Sequence, residues 1–233
     1  MERILRSLLL IVPLAGGACG QADAPPSLAA VPPGAPAPAA TAPNAAPRRI
    51  VFLGDSLTAG LGLPREQAVP SLIQARLDAA GYRYEVVNAG VSGDTSAGGL
   101  RRLDWALEGD VAILVVELGA NDGLRGLPVA QMKANLGEIV MRAQERGVTV
   151  VLTGMEAPPN YGPLYTAEFR RAFRDLADEH DVVFVPFFLE GVAGNPALNG
   201  SDGIHPNTAG ATVIAGTIWG ALEPLLSRGA ETR

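Results

Sequence analysis

From Arg48 onward the apolar positions switch between two periods. Short apolar runs, partly β-branched, occur at Ile50–Leu53, Tyr84–Asn88, Val111–Glu117, Val148–Thr153 and Val182–Val185, each bounded by polar or glycine-rich turns, and read as strands. Between them the spacing becomes helical. The pattern predicts helices over Ser71–Ala80 behind Pro70, Ser96–Leu107, Val129–Arg146 and Ala167–Glu179, with a last one from about Asn207 to Leu226. In the third of these, Met132, Leu136, Ile139, Val140 and Ala143 share one face; in the fourth, Phe169, Phe173 and Leu176 do. Strand and helix alternating five times predicts an α/β fold, a three-layer αβα sandwich around a five-stranded parallel sheet. In such sheets ligands bind beyond the carboxyl ends of the strands, so the loops that follow the strands are where chemistry is expected.

The chain before Arg48 has a different character. Arg3 and Arg6 precede an apolar run from Leu8 to Ala15 that is too short to span a bilayer and is followed by small residues, a secretory pattern that predicts export to the periplasm. Cys19, the only cysteine, follows Gly16, Gly17 and Ala18, and the segment resembles a bacterial lipoprotein signal in which that cysteine is acylated and anchors the protein to a membrane. The competing reading is cleavage after Ala22-Asp23-Ala24, which discards Cys19. Alanine and proline then dominate up to Pro47, a composition that buries little and favours an extended, disordered tether. The expected organisation is therefore a signal peptide over 1–18, a linker over 19–47 and one domain over 48–228. The net charge of -6, with Lys and Arg scattered, leaves no basic stripe for nucleic acid.

Ser56 stands just past the first strand, behind Gly54, where a rigid strand end can hold a hydroxyl toward a substrate. The plainer reading is that Asp55, Ser56 and Thr58 cap the next segment. A serine hydroxyl needs a base within hydrogen-bond reach to act as a nucleophile, and the chain has two histidines. His180 lies at the polar end of a helix, where a cation complements the helix dipole. His205 precedes Pro206, which favours an extended conformation and suits the first turn of the last helix, and it is the better base. Asp202, three residues earlier with Gly203 between, is placed to take the imidazole N–H or else to cap the turn.

Four loops carry these residues in order: G-D-S-L from Gly54, N-A-G-V-S-G-D-T from Asn88, E-L-G-A-N-D-G-L-R-G from Glu117 and S-D-G-I-H-P-N from Ser201. Together they resemble the four blocks of the SGNH (GDSL) hydrolase family. The resemblance covers Arg48 to Leu226 and is closest to the bacterial exported arylesterases and multifunctional acyl thioesterases/lysophospholipases, which share the P-P-N-Y-G stretch from Pro158 to Gly162. It implies a flavodoxin-like fold, a triad of Ser56, Asp202 and His205, and an oxyanion hole in which Gly93 and Asn121 join the Ser56 N–H. Taken alone, Gly93 reads equally as a turn residue and Asn121 as the start of an Asx turn. Asp55 and Asp94 are read as capping or loop-holding residues. The serine follows the first strand and lacks the second glycine of G-x-S-x-G, which argues against an α/β-hydrolase.

The resulting expectation is a metal-independent, monomeric serine esterase without a cofactor: the sequence lacks H-E-x-x-H, G-x-x-x-x-G-K-S/T and G-x-G-x-x-G. Leu57, Met155, Pro158 and Tyr161, with Leu61, Leu164 and Tyr165, are expected to form an apolar groove for aryl or alkyl esters, acyl thioesters or lysophospholipids. A carbohydrate O-deacetylase of the same family is the first alternative. A tethered binding protein on a flavodoxin-like scaffold is the alternative of another class.

Overall fold

The computed structural model describes residues 46–231, with side chains up to Leu226. The expectations for the leader, Cys19 and nearly all of the linker fall outside the described residues. The strands are β1 (Arg48–Gly54), β2 (Tyr84–Gly90), β3 (Val111–Glu117), β4 (Thr149–Thr153) and β5 (Val183–Val185). They form one parallel sheet in the order β2-β1-β3-β4-β5. The helices are α1 (Ser56–Ala59), α2 (Val69–Ala79), α3 (Ser96–Arg101), α4 (Leu103–Ala106), α5 (Ala120–Leu124), α6 (Val129–Glu145), α7 (Pro163–His180) and α8 (Thr208–Glu231). One face of the sheet carries α2 and α8, the other α3, α4, α6 and α7, which makes three layers.

Burial follows the sequence pattern. Every residue of the central β3 is buried, as expected of a strand covered on both sides. Six buried residues of α8, Ala211, Ile214, Ala215, Ile218, Leu222 and Leu226, recur three or four apart and pack toward α2 and β5. Helix α8 is apolar and long enough to cross a membrane by composition, yet this face belongs to the core.

Three predicted boundaries move for identifiable reasons. Helix α2 begins at Val69, so that Pro70 sits in the first turn, where its missing N–H costs nothing. The helix expected over Ser96–Leu107 breaks at Arg102 (φ -107°, ψ 10°). The Arg102 guanidinium turns inward instead: Nε donates to Asp94 Oδ2 (2.7 Å), and the two terminal nitrogens donate to the carbonyls of Ala89 and Gly54. Pro206 is not in the first turn of α8. It pairs with Asn199 in an isolated antiparallel bridge, and Asn207 caps the helix by accepting from the N–H groups of Ala209 (3.0 Å) and Gly210 (3.1 Å).

The strand order decides where a site can form. From β1 the chain leaves toward β2, and from β3 it leaves toward β4, so the carboxyl ends of β1 and β3 flank a crevice at the topological switch point. Gly54 and Glu117 are register partners at that end of the sheet.

Candidate active site

The switch-point crevice is built first from the end of β1. Gly54 has no room for a side chain: a Cβ there would lie 2.0 Å from Thr58 Oγ1 and 2.7 Å from Glu117 Oε2. Asp55 caps α1, its Oδ1 accepting from Leu57 N–H (3.0 Å), and Ser56 becomes the first helical residue. The capping reading of this stretch is therefore correct for Asp55, while Ser56 makes no cap and directs its hydroxyl elsewhere. Like other first-turn residues, Ser56 has a backbone N–H with no carbonyl four residues back to bond.

Residues 199–206 deliver the histidine. Gly200 N–H donates to His205 O (2.8 Å), Gly203 at φ +70° donates to Gly200 O (3.0 Å), and Asp202 Oδ1 accepts from the N–H groups of Ile204 (2.9 Å) and His205 (3.0 Å). This tight turn brings Asp202 Oδ2 to 2.7 Å from His205 Nδ1 and His205 Nε2 to 2.8 Å from Ser56 Oγ. With Nδ1–H held by the carboxylate, the Nε2 lone pair faces the serine hydroxyl. The backbone N–H of His205, then its imidazole and the N–H of Ile204, hold the Asp202 carboxyl well below the usual range, so it is ionised at any working pH. His180 ends α7 beside Gly137 of α6 and is not among the residues lining the crevice.

Gly93 and Asn121 lie across from Ser56, lining the same cleft of about 310 Å³. Gly93 has φ +83°, open to glycine and costly for other residues, and its carbonyl accepts from Arg125 (2.9 Å). Asp94, paired with Arg102, holds the adjoining turn. Asn121 forms no Asx turn of its own: its Nδ2 donates across the crevice to Asp55 Oδ2 (2.9 Å). Leu57, Leu61, Met155 and Pro158 line the cleft, joined by Leu124, Leu189 and Ile204, which the sequence pattern does not single out because they sit in loops or, for Leu124, in a helix too short to show periodicity.

Tyr161, Leu164 and Tyr165 stand outside the cleft. The Tyr161 hydroxyl donates to Leu124 O (2.9 Å) and that of Tyr165 to Leu127 O (2.8 Å), so both tyrosines face the loop after α5 from behind. Their rings continue an aromatic ladder through Phe169 to Phe173. Leu164 is 87% exposed. Among the described residues, no cluster of three or more His, Cys, Asp or Glu is placed to hold a metal ion.

Behind the crevice lies a second acidic residue. Glu117 ends β3 fully buried, with Oε2 accepting from Asp55 N–H (3.2 Å) and Thr58 Oγ1 (2.8 Å) while Oε1 has no partner. Burial, and then the neighbouring Asp55 charge, push its carboxyl well above the usual range. Asp55 is also raised by burial, opposed by the donors Leu57, Asn121 and Glu117. Sequence reading passed over Glu117 as the last residue of a strand; an acid closing an otherwise apolar buried run was the available signal.

A serine and a histidine in hydrogen-bond contact at the carboxyl edge of a five-stranded parallel sheet, above an apolar cleft, define an α/β serine hydrolase of the kind in which the serine follows the first strand. Residues 52–213 match the profile of the GDSL-like lipase/acylhydrolase family, and the chain belongs to that family. It is 46% identical over 184 residues to esterase TesA of Pseudomonas aeruginosa, covering 78% of this chain and 92% of that one. It is 40% identical over 167 residues to an arylesterase of Vibrio mimicus (71% and 84%), and 37% identical over 184 residues to thioesterase 1/protease 1/lysophospholipase L1 of Escherichia coli (78% and 87%). The crystal structure of TesA superposes with a TM-score of 0.74 at 45% identity, covering 76% of this chain and 99% of that one. The psychrotrophic esterase EstA of Pseudoalteromonas gives 0.73 at 36% identity, covering 77% and 99%. The chain is a carboxylic ester hydrolase with the SGNH fold.

Proposed function

We propose that Ser56 is the nucleophile, His205 the general base and Asp202 the residue that orients it. The reading rests above all on the unbroken contact from Asp202 Oδ2 through the imidazole to Ser56 Oγ, at 2.7 and 2.8 Å. As Ser56 Oγ attacks the ester carbonyl carbon, its proton passes to His205 Nε2, and the ionised Asp202 stabilises the imidazolium. The carbonyl oxygen becomes an oxyanion that receives hydrogen bonds from the N–H groups of Ser56 and Gly93 and from the Asn121 amide. The imidazolium returns its proton to the leaving alcohol or thiol, leaving an acyl group on Ser56. Water activated by His205 then releases the acid.

The apolar lining from Leu57, Leu61, Leu124, Met155, Pro158, Leu189 and Ile204 supports aryl and alkyl esters, and by the names of the relatives acyl thioesters or lysophospholipids. Tyr161 supports the cleft through Leu124. The leader pattern supports export to the periplasm, with Cys19 as a lipid anchor, and the domain is read as a monomer acting on small molecules.

The test is a rate panel on aryl esters of increasing acyl length, acyl-CoA, lysophospholipid and acetylated glycan. Turnover of aryl esters and acyl thioesters supports the reading. Turnover of acetylated glycan alone replaces it with the deacetylase alternative.

A further inference from the structure

The triad leaves one acidic pair unused. Asp55 and Glu117 are both fully buried at the neighbouring ends of β1 and β3, Asp55 in the wall of the crevice and Glu117 behind it. Two carboxylates so placed do not both ionise in a dry site. Their partners decide which one keeps the proton. Asp55 has a donor on each oxygen, Leu57 N–H on Oδ1 and the Asn121 amide on Oδ2, which is the environment of an anion. Glu117 collects both of its donors on Oε2 and leaves Oε1 bare. A bare, fully buried carboxylate oxygen is costly, and a proton shared with the Asp55 carboxyl, which lies within side-chain hydrogen-bond reach of Glu117, removes the cost.

We propose that Glu117 is a positioning residue for the oxyanion hole: it holds a proton and donates it as a hydrogen bond to Asp55, whose carboxylate in turn fixes the Asn121 amide with its nitrogen facing inward. The proposal rests on the reading of Asn121 as an oxyanion donor. An asparagine amide presents either NH₂ or C=O depending on its surroundings. Against an ionised Asp55 only the NH₂ end fits: one N–H is taken by Oδ2 and the other is left for the oxyanion. Were the proton on Asp55, that group would become a donor facing Asn121 and favour the flipped amide, which turns an oxygen toward developing negative charge. Glu117 therefore sets the polarity of the hole without touching substrate. The position of the proton agrees with the burial and charge effects on the two acids, stronger on Glu117 than on Asp55.

The test uses kcat on one good ester for Glu117→Gln, Glu117→Met, Asn121→Ala and the pair Glu117→Met with Asn121→Ala. Glutamine reproduces a protonated glutamate, with an N–H for Asp55 and an oxygen for Thr58; methionine reproduces only its volume. Asn121→Ala is expected to lower kcat by roughly 100- to 1,000-fold, as when one oxyanion donor is lost. Glu117→Met is expected to lower kcat at least about tenfold with KM unchanged, a partial loss of that same donor, and Glu117→Gln to recover that loss. In the Asn121→Ala background Glu117→Met should cost almost nothing further, because the two act through one group. Folded Glu117→Met with wild-type kcat, Glu117→Gln as impaired as Glu117→Met, or losses that multiply in the pair each overturn the proposal. Wild-type kcat in Asn121→Ala overturns the oxyanion assignment and the proposal with it; an impaired Asn121→Ala beside an unimpaired Glu117→Met overturns the role of Glu117 alone. Should Glu117→Met not fold, infrared spectra of the wild type at neutral pH decide the matter. A protonated carboxylic acid band that vanishes in Glu117→Gln supports the proposal, and the absence of that band overturns it.

Discussion

Ser56, His205 and Asp202 come from two loops 149 residues apart in sequence, yet each is held by bonds local to its own loop, Asp202 by Ile204 and His205 N–H groups and Ser56 by the α1 turn that Asp55 caps. If the proposed triad acts as a unit, Ser56→Ala and His205→Ala should each remove nearly all turnover, and the double variant should be scarcely slower than either one. Steady-state kinetics check this, and multiplying losses would deny the shared mechanism. Legibility at this scale followed chemistry. Ser56, and His205 with Asp202 nearby, stand out as candidates by residue type at a strand end and before a helix, whereas Gly93 and Asn121 enter only through the family resemblance. Glu117 does neither, because its role depends on what lies across the sheet from it. Its titration has a signed consequence for stability. A carboxyl raised by burial binds its proton more tightly folded than unfolded, so the folded state is favoured at low pH and loses ground as pH rises from the ordinary value of 4.5 toward the raised one. Glu117→Gln carries no such proton. Its stability relative to the wild type should therefore improve between pH 5 and pH 8 in urea unfolding, and a difference unchanged over that range would contradict the raised Glu117 carboxyl.

Among the elements, those with strong periodicity were readable to within a few residues: β1, β3, β4, α6 and α8 lie where alternation and helical spacing place them. The short helices α1 and α5 were not, since four or five residues carry too little pattern, and both are set by the loops that hold the site. The break between α3 and α4 has a different cause. Arg102 sits in what reads as a continuous helix, but its side chain is only 17% exposed, paired with the equally shielded Asp94 and bonded to the end carbonyls of β1 and β2. This clamp ties two strand ends to the turn that presents Gly93. Arg102→Met should lower stability by about 3–5 kcal/mol, the cost of leaving a shielded carboxylate without its partner, measured by denaturant unfolding. Adding Asp94→Asn should recover part of the loss, and a second variant no more stable than the first would show that the carbonyl contacts alone carry the clamp.

At the scale of the whole molecule, the parallel sheet covered on both faces follows from the sequence because each strand is followed by a helix, and right-handed crossovers leave few arrangements for five such units. The order of the strands is what joins residues from four separate loops, and periodicity alone did not supply it. The crevice between β1 and β3 gathers Ser56, Gly93, Asn121 and His205 around one apolar cleft. If that assembly works as an acyl-transfer site, a fluorophosphonate should react there: Ser56 Oγ displaces fluoride from phosphorus, His205 takes the proton, and the phosphonyl oxygen occupies the oxyanion hole. Peptide mass spectrometry of the labelled protein measures this directly. A single adduct on Ser56, lost in Ser56→Ala and greatly slowed in His205→Ala, is expected; an adduct on another residue, or a wild-type protein that hydrolyses esters yet remains unlabelled at Ser56, would contradict Ser56 as the nucleophile.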